Sequence, residues 1–152
     1  MQIIAYTDGS CSGNPGPGGY AAIVKCDGME HIIRGHSSKC TTNNRMEIKP
    51  IIELLDWVTK NQKSPCEIIV YTDSQYILDC LYGKNKDGSK RRVSWFKGRK
   101  NEDLWMQLIS KTMSGKHTVR FIKVVGHSGD ETNERVDKIA KEECCKAKHE
   151  LV

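Results

Sequence analysis

Glu67-Ile-Ile-Val-Tyr-Thr-Asp-Ser74 is a short, nearly continuous apolar run closed by an acid and a hydroxyl. That composition predicts a strand, Glu67–Thr72, buried on both faces, with Asp73 or Ser74 capping a helix that runs through Leu81. Upstream, Ile48, Ile51, Ile52, Leu55 and Val58 follow helical spacing across Asn44–Asn61, with Asn43 or Asn44 available as N-cap. Pro50 inside that helix removes one donor and crowds the preceding turn, so a local distortion is expected. Gln2–Thr7 reads as a first strand. A helical connection permits right-handed crossover and parallel pairing of the two strands, which sets Asp8 and Asp73 side by side at their carboxyl ends. Open α/β sheets place ligands there.

Between these elements, a Gly/Pro-rich loop from Gly9 to Gly19 precedes two strands, Tyr20–Cys26 and Glu30–His36, around a turn at Asp27–Gly28. With Gln2–Thr7 they make an antiparallel meander. Downstream, Gly83–Lys100 reads as loop with some short helix, Glu102–Met113 as a helix and His117–Val125 as the last strand. The Gly126–Thr132 loop leads to a helix from about Asn133 to Lys148, with Val136, Ile139, Ala140 and Cys144 as its buried stripe. The pattern predicts an α/β fold in one domain spanning 1–152, with no internal repeat or linker.

The charge is uneven. Lys84, Lys86, Lys90, Arg91, Arg92, Lys97, Arg99 and Lys100 stand against Asp87 alone, a net +7 that leaves −2 for the remainder of a chain whose total is +5. A roughly neutral body with one basic protrusion suits a polyanion docked at a defined place; a solvated charged loop is the bland alternative. Trp95 and Phe96 within the run can pack against sugar or base, or else need a core contact. No apolar run approaches the ~20 residues that cross a bilayer, and no signal peptide opens the chain. The seven cysteines are scattered and never spaced as C-x-x-C, so thiols in a reducing cytoplasm are expected, without disulfide framework or zinc site. Cys144 and Cys145 read as one packed thiol beside one exposed.

Four acids invite a chemical reading: Asp8, Asp73, Asp137 and Glu47. Asp8–Gly9 could be a turn, Asp73 a helix cap, and Asp137 the i,i+4 partner of Lys141. Glu47 lies on or beside the core-facing stripe, four residues before Ile51 and eleven before Val58. A buried carboxylate there needs a partner. Carboxylates gathered together select hard cations, Mg²⁺ or Mn²⁺ in preference to zinc. Two such ions ~4 Å apart support in-line phosphoryl displacement, the chemistry of nucleases.

Tyr6-Thr-Asp-Gly-Ser-Cys11, Gly13-Asn-Pro-Gly-Pro-Gly-Gly-Tyr20, Thr41-Thr-Asn-Asn-Arg-Met-Glu47, Tyr71-Thr-Asp-Ser-Gln-Tyr76 and Gly126-His-Ser-Gly with Asn133-Glu-Arg-Val-Asp137 resemble, in order and spacing, the signature blocks of the ribonuclease HI family. The resemblance covers nearly the whole chain. It implies a ribonuclease H-like fold, a five-stranded mixed sheet flanked by helices. The implied activity is endonucleolytic, metal-dependent hydrolysis of the RNA strand of RNA–DNA hybrids by a monomer, leaving 5′-phosphate and 3′-hydroxyl ends. Asp8, Glu47, Asp73 and Asp137 match the metal-binding carboxylates, two ions being held when substrate is bound. His127 matches a loop histidine associated with proton transfer or product release. Asn14, Asn43, Asn44 and Gln75 match residues that reach the minor groove, where a 2′-hydroxyl distinguishes RNA from DNA; Thr42 matches a DNA-phosphate contact.

The segment at about 83–100 corresponds to a basic handle of the bacterial type. By that correspondence Lys84, Lys86, Lys90, Arg91, Arg92, Trp95 and Lys97 contact the hybrid. Two departures stand out: Leu81-Tyr-Gly-Lys-Asn-Lys-Asp-Gly88 replaces a tryptophan-containing helix, and Cys40 stands where relatives often carry arginine, so that phosphate anchoring on that side either falls to Lys39 or is weaker. A non-catalytic nucleic-acid-binding scaffold, or a DNA nuclease, transposase or integrase on the same fold, are the competing readings.

Overall fold

The computed structural model describes residues 1–90, 95–124 and 130–150. Its elements are β1 (Gln2–Cys11), β2 (Gly16–Cys26), β3 (Met29–Thr41), α1 (Asn43–Asn61), β4 (Glu67–Thr72), α2 (Gln75–Tyr82), α3 (Glu102–Ser114), β5 (Thr118–Lys123) and α4 (Glu131–Glu150). The strands form one mixed sheet in the order β3-β2-β1-β4-β5. β1, β2 and β3 make the expected antiparallel meander, joined between β2 and β3 by a two-residue turn in which Asp27 (φ 50°) and Gly28 (φ 74°) are both left-handed. β4 runs parallel to β1 and β5 parallel to β4.

Strand ends differ from the sequence expectation in a way that matters for the site. β1 does not stop before Asp8. Its parallel pairing with β4 ends at Tyr6↔Tyr71, but its pairing with β2 continues through Asp8↔Ala21, Gly9↔Tyr20 and Cys11↔Gly18. The Gly/Pro-rich stretch is therefore mostly hairpin, because antiparallel partners satisfy its backbone groups. Asp8 sits where β1 parts from β4 while still held by β2.

Helices cover both sheet faces. On one, Ile3, Ala5, Val24, Ile68 and Val70 pack with Ile48, Ile51, Ile52, Leu55 and Val58 of α1 and Leu104, Trp105 and Leu108 of α3. On the other, Ala21 and Ile23 meet Val136 and Ala140 of α4. At ~25 cal/mol per Å² of apolar surface, such fully buried side chains contribute roughly 1.5–3 kcal/mol each before entropy is counted. α1 runs unbroken through Pro50, which is itself buried.

Two glycines set how closely helices approach the sheet. A Cβ at Gly9 would lie 2.4 Å from the Met46 carbonyl carbon, and one at Gly19 would lie 2.3 Å from the Cys144 backbone nitrogen. The first lets the start of α1 come down onto β1; the second lets α4 rest on β2. No helix among the described residues is long and apolar enough to cross a membrane.

Candidate active site

The helix caps decide which polar groups are left over. Thr42, not Asn43 or Asn44, caps α1: its Oγ1 accepts from the Arg45 N–H at 3.2 Å. Asn43 is then the first helical residue, and its N–H donates to Asn14 Oδ1 at 3.0 Å, tying the β1–β2 turn to the helix start. Ser74 caps α2 by accepting from the Ile77 N–H at 3.2 Å, so the Asp73 carboxylate is not spent on capping.

Asp8, Glu47 and Asp73 each bring one oxygen to within 4.8 Å of the others. Asp8 comes from β1, Asp73 follows β4 directly, and Glu47 is carried in by the close approach over Gly9. Glu47 Oε2 is sealed from solvent without a hydrogen-bond partner among the described residues, while Asp8 Oδ1 accepts from the Gly9 N–H at 2.9 Å. Burial, followed by the Asp73 charge, pushes the Asp8 pKa up to about 7. Burial and the charges of Asp8 and Asp73 hold Glu47 well above the usual range. Asp73 is raised by burial, and the Asp137 charge adds to this while Lys123 works against it.

Such a set repels itself until a cation arrives. All three side chains are hard oxygen donors, and one oxygen is orphaned, so a divalent cation fits the cluster.

Asp137 reaches Asp8, with which it shares a hydrogen-bonding contact, but stands outside the tight cluster. Its Oδ2 also meets Lys141 Nζ at 3.0 Å, the i,i+4 pairing open from sequence. His127, Arg91 and Arg92 lie outside the described residues.

Around the carboxylates, Asn14, Asn43, Asn44 and Gln75 are exposed and Thr42 is half-buried. Lys39 and Cys40 are exposed. In the basic segment Lys84 pairs with Lys90 through an isolated antiparallel bridge, and Lys84, Lys86, Lys90 and Lys97 are solvated. The short helix expected there is absent among the described residues, where bridge and turns take its place. Its aromatics supply a core contact: Phe96 is buried, and Trp95 packs edge-on against Trp105 with ring centroids 5.2 Å apart. Burying Phe96 and part of Trp95 removes apolar surface that a free basic loop would leave in water.

Several supporting residues escaped sequence reading. Arg45 forks onto Asp103 at 2.9 and 2.8 Å, and Tyr76 Oη accepts from Asn101 Nδ2 at 3.0 Å and Trp105 Nε1 at 2.9 Å, which braces α1, α2 and α3 together. Asp130 caps α4 through the Thr132 N–H at 3.0 Å and accepts from the Tyr6 hydroxyl, also at 3.0 Å. The Asn-Glu-Arg-Val-Asp block pointed to α4, but the cap lies three residues before it.

The family model for RNase H matches residues 1–145. A ribonuclease H of Caldicellulosiruptor saccharolyticus is 42% identical over 144 residues, covering 92% of this chain and 94% of its own. One from Nitratidesulfovibrio vulgaris (strain DSM 19637 / Miyazaki F) is 45% identical over 143 residues, covering 92% and 87%. Among solved structures, LC11-RNase H1 in complex with an RNA/DNA hybrid superposes with TM-score 0.73 at 26% identity, covering 95% of this chain and 98% of that one. The N-terminal RNase H domain of a Mycobacterium tuberculosis protein gives 0.77 at 20% identity, covering 100% and 99%, a likeness of fold.

Proposed function

This chain belongs to the RNase H family, and from that premise we propose that it is an endoribonuclease hydrolysing the RNA strand of RNA–DNA hybrids to 5′-phosphate and 3′-hydroxyl ends. The observation that carries the reading is the cluster of Asp8, Glu47 and Asp73, with a sealed Glu47 oxygen that no donor among the described residues satisfies. Folded proteins rarely bury such an oxygen without a partner.

Asp8, Glu47, Asp73 and Asp137 would hold Mg²⁺, or Mn²⁺ in its place, two ions with substrate bound. When bound, the metal supplies activation of the attacking water and charge stabilisation at the departing 3′ oxygen. The remaining work falls to the chain. Asn14, Asn43, Asn44 and Gln75 offer amides to the minor groove, where each can donate and accept toward a 2′-hydroxyl. Thr42 at the start of α1 and the solvated lysines Lys84, Lys86, Lys90 and Lys97, with Arg91 and Arg92, hold phosphates. His127 moves a proton near the leaving group or helps product depart.

The test is a cleavage assay on end-labelled RNA–DNA hybrid, duplex RNA and duplex DNA, with Mg²⁺, Mn²⁺ or chelator. Cutting confined to the RNA strand of the hybrid, and lost with chelator, is expected. An intact hybrid in both metals, or efficient cutting of duplex DNA, overturns the proposal.

A further inference from the structure

Lys123 and Gln75 are far apart in sequence, yet the sheet brings them together beside the carboxylates. The parallel register pairs Lys123, the last residue of β5, with Thr72, the last of β4 and the residue before Asp73. Gln75 opens α2 two residues beyond Asp73. Lys123 Nζ donates to Gln75 Oε1 at 2.5 Å, and Gln75 Nε2 donates to Asp79 Oδ1 at 2.8 Å, one turn along the helix. The amide is thus held by a cation at its oxygen and a carboxylate at its nitrogen. Both bonds are charge-assisted, and reversing the amide would set an NH₂ against an ammonium and an oxygen against a carboxylate.

We infer that Lys123 is a positioning residue for substrate recognition, acting through Gln75. A primary amide has two acceptor positions and two N–H donors. The clamp uses one of each and fixes the directions of the other two. What remains is a single donor and a single acceptor, aimed from a surface next to Asp73 and matched to the sugar hydroxyls and base edges of a minor groove. An unclamped glutamine would have to lose rotamer freedom and choose an orientation on binding; here the fold has settled both beforehand. The inference deepens the proposed hybrid-cleaving function and rests on it.

The clamp itself is read without any substrate. In ¹⁵N-labelled protein, Lys123→Met is expected to move the Gln75 side-chain amide resonances toward free-glutamine positions while the backbone spectrum away from β5 and α2 is retained. Unmoved resonances overturn the clamp whether or not the enzyme cleaves hybrid. Its function is read by a double-mutant cycle in the hybrid-cleavage assay. Lys123→Met is expected to raise KM roughly three- to tenfold, more than it lowers kcat, with the salt dependence of binding unchanged. Lys123→Arg should restore most of the loss. In a Gln75→Ala background, Lys123→Met should add no further rise. An equal rise in both backgrounds, with a salt slope flattened by roughly 0.9, would make Lys123 a direct phosphate contact and overturn positioning through Gln75. An unaltered KM in Lys123→Met overturns it as well. Wild-type protein that leaves hybrid intact refutes the function proposed above, a result kept distinct from the resonance measurement.

Discussion

Glu47 shows what one residue can reveal. On an otherwise core-facing helix stripe it is a carboxylate with a sealed, unpartnered oxygen next to two further acids. The arrangement is costly in the metal-free protein, since three groups whose charged forms disfavour one another must share a small volume. Asp8→Asn removes one of those charges. It should abolish hybrid cleavage while leaving hybrid binding largely intact, and should raise the melting temperature measured in chelator by a few degrees, about 1 kcal/mol of relieved repulsion. Undiminished turnover would remove Asp8 from the metal site. Mg²⁺ should stabilise the wild type in a concentration-dependent way and the variant far less, because a ligand that binds the folded state alone shifts unfolding by mass action.

At the scale of elements, a charged cluster ties α4 to an edge strand of the sheet. Glu143 of α4 is buried and accepts from Arg34 Nε at 2.8 Å, His36 Nδ1 at 3.1 Å and Lys146 Nζ at 2.8 Å, joining α4 to β3 beside the close approach over Gly19. Burial alone would raise its pKa, but the Lys146, His36 and Arg34 hydrogen bonds overcome this and hold it at about 2. The folded state thus binds fewer protons than the unfolded chain in that range. Its contribution is complete above the ordinary carboxylate value of 4.5 and fades as pH falls toward about 2. His36 runs the other way. Hydrogen bonds to Glu150 and Glu143 raise its pKa above 6.5, so its contribution is complete below 6.5 and fades as pH rises through the raised value.

The difference in stability between wild type and Glu143→Gln, in which the raised pKa values of Asp8 and Glu47 cancel, should therefore show a plateau between the two limits in urea unfolding across pH. Glu143→Gln should cost about 2 kcal/mol on that plateau and remove the Glu143 part of the acid-side slope, leaving the part due to Asp103, which Arg45 holds at about 2. Arg45→Met tests the brace between α1 and α3. Its pair with Asp103 is partly exposed, so stability should fall by about 1 kcal/mol or less. KM for hybrid should nonetheless rise, because Thr42, Asn43 and Asn44 ride on the helix start that Arg45 anchors. Unchanged KM would show that α1 is held well enough by its core packing alone.

For the whole molecule, charge and fold are separable. The sheet and its helices are held by two apolar layers, whereas the net positive charge lies in the segment between α2 and α3, where Lys84, Lys86, Lys90 and Lys97 are solvated. Neutralising Lys90, Arg91 and Arg92 together should weaken hybrid binding and flatten its salt dependence by roughly 0.9 for each phosphate left without its cation, with little change in rate at saturating hybrid. An unchanged slope would mean these charges do not touch phosphate.

By itself the sequence determined the elements, because apolar periodicity and capping groups act over a few residues: the buried run at 68–70, the helical stripe of α1 and the Asp-Gly turn all carry their own local signal. It also put Asp8 and Asp73 side by side, since a helical crossover leaves parallel strands pointing the same way, although β1 runs on past Asp8 to Cys11. Element ends were less legible. Whether Gly9–Cys11 is loop or strand depends on a partner strand, and Asn43 yields the cap to Thr42 because the backbone turns into the helix one residue earlier. Only the tertiary structure decided which distant side chains meet. Arg45 with Asp103, Lys123 with Gln75, Glu143 with Arg34 and His36, and Glu47 with Asp8 across Gly9 are pairings between separate elements. No periodicity encodes them, because they exist only once packing has fixed how closely each helix lies on its sheet.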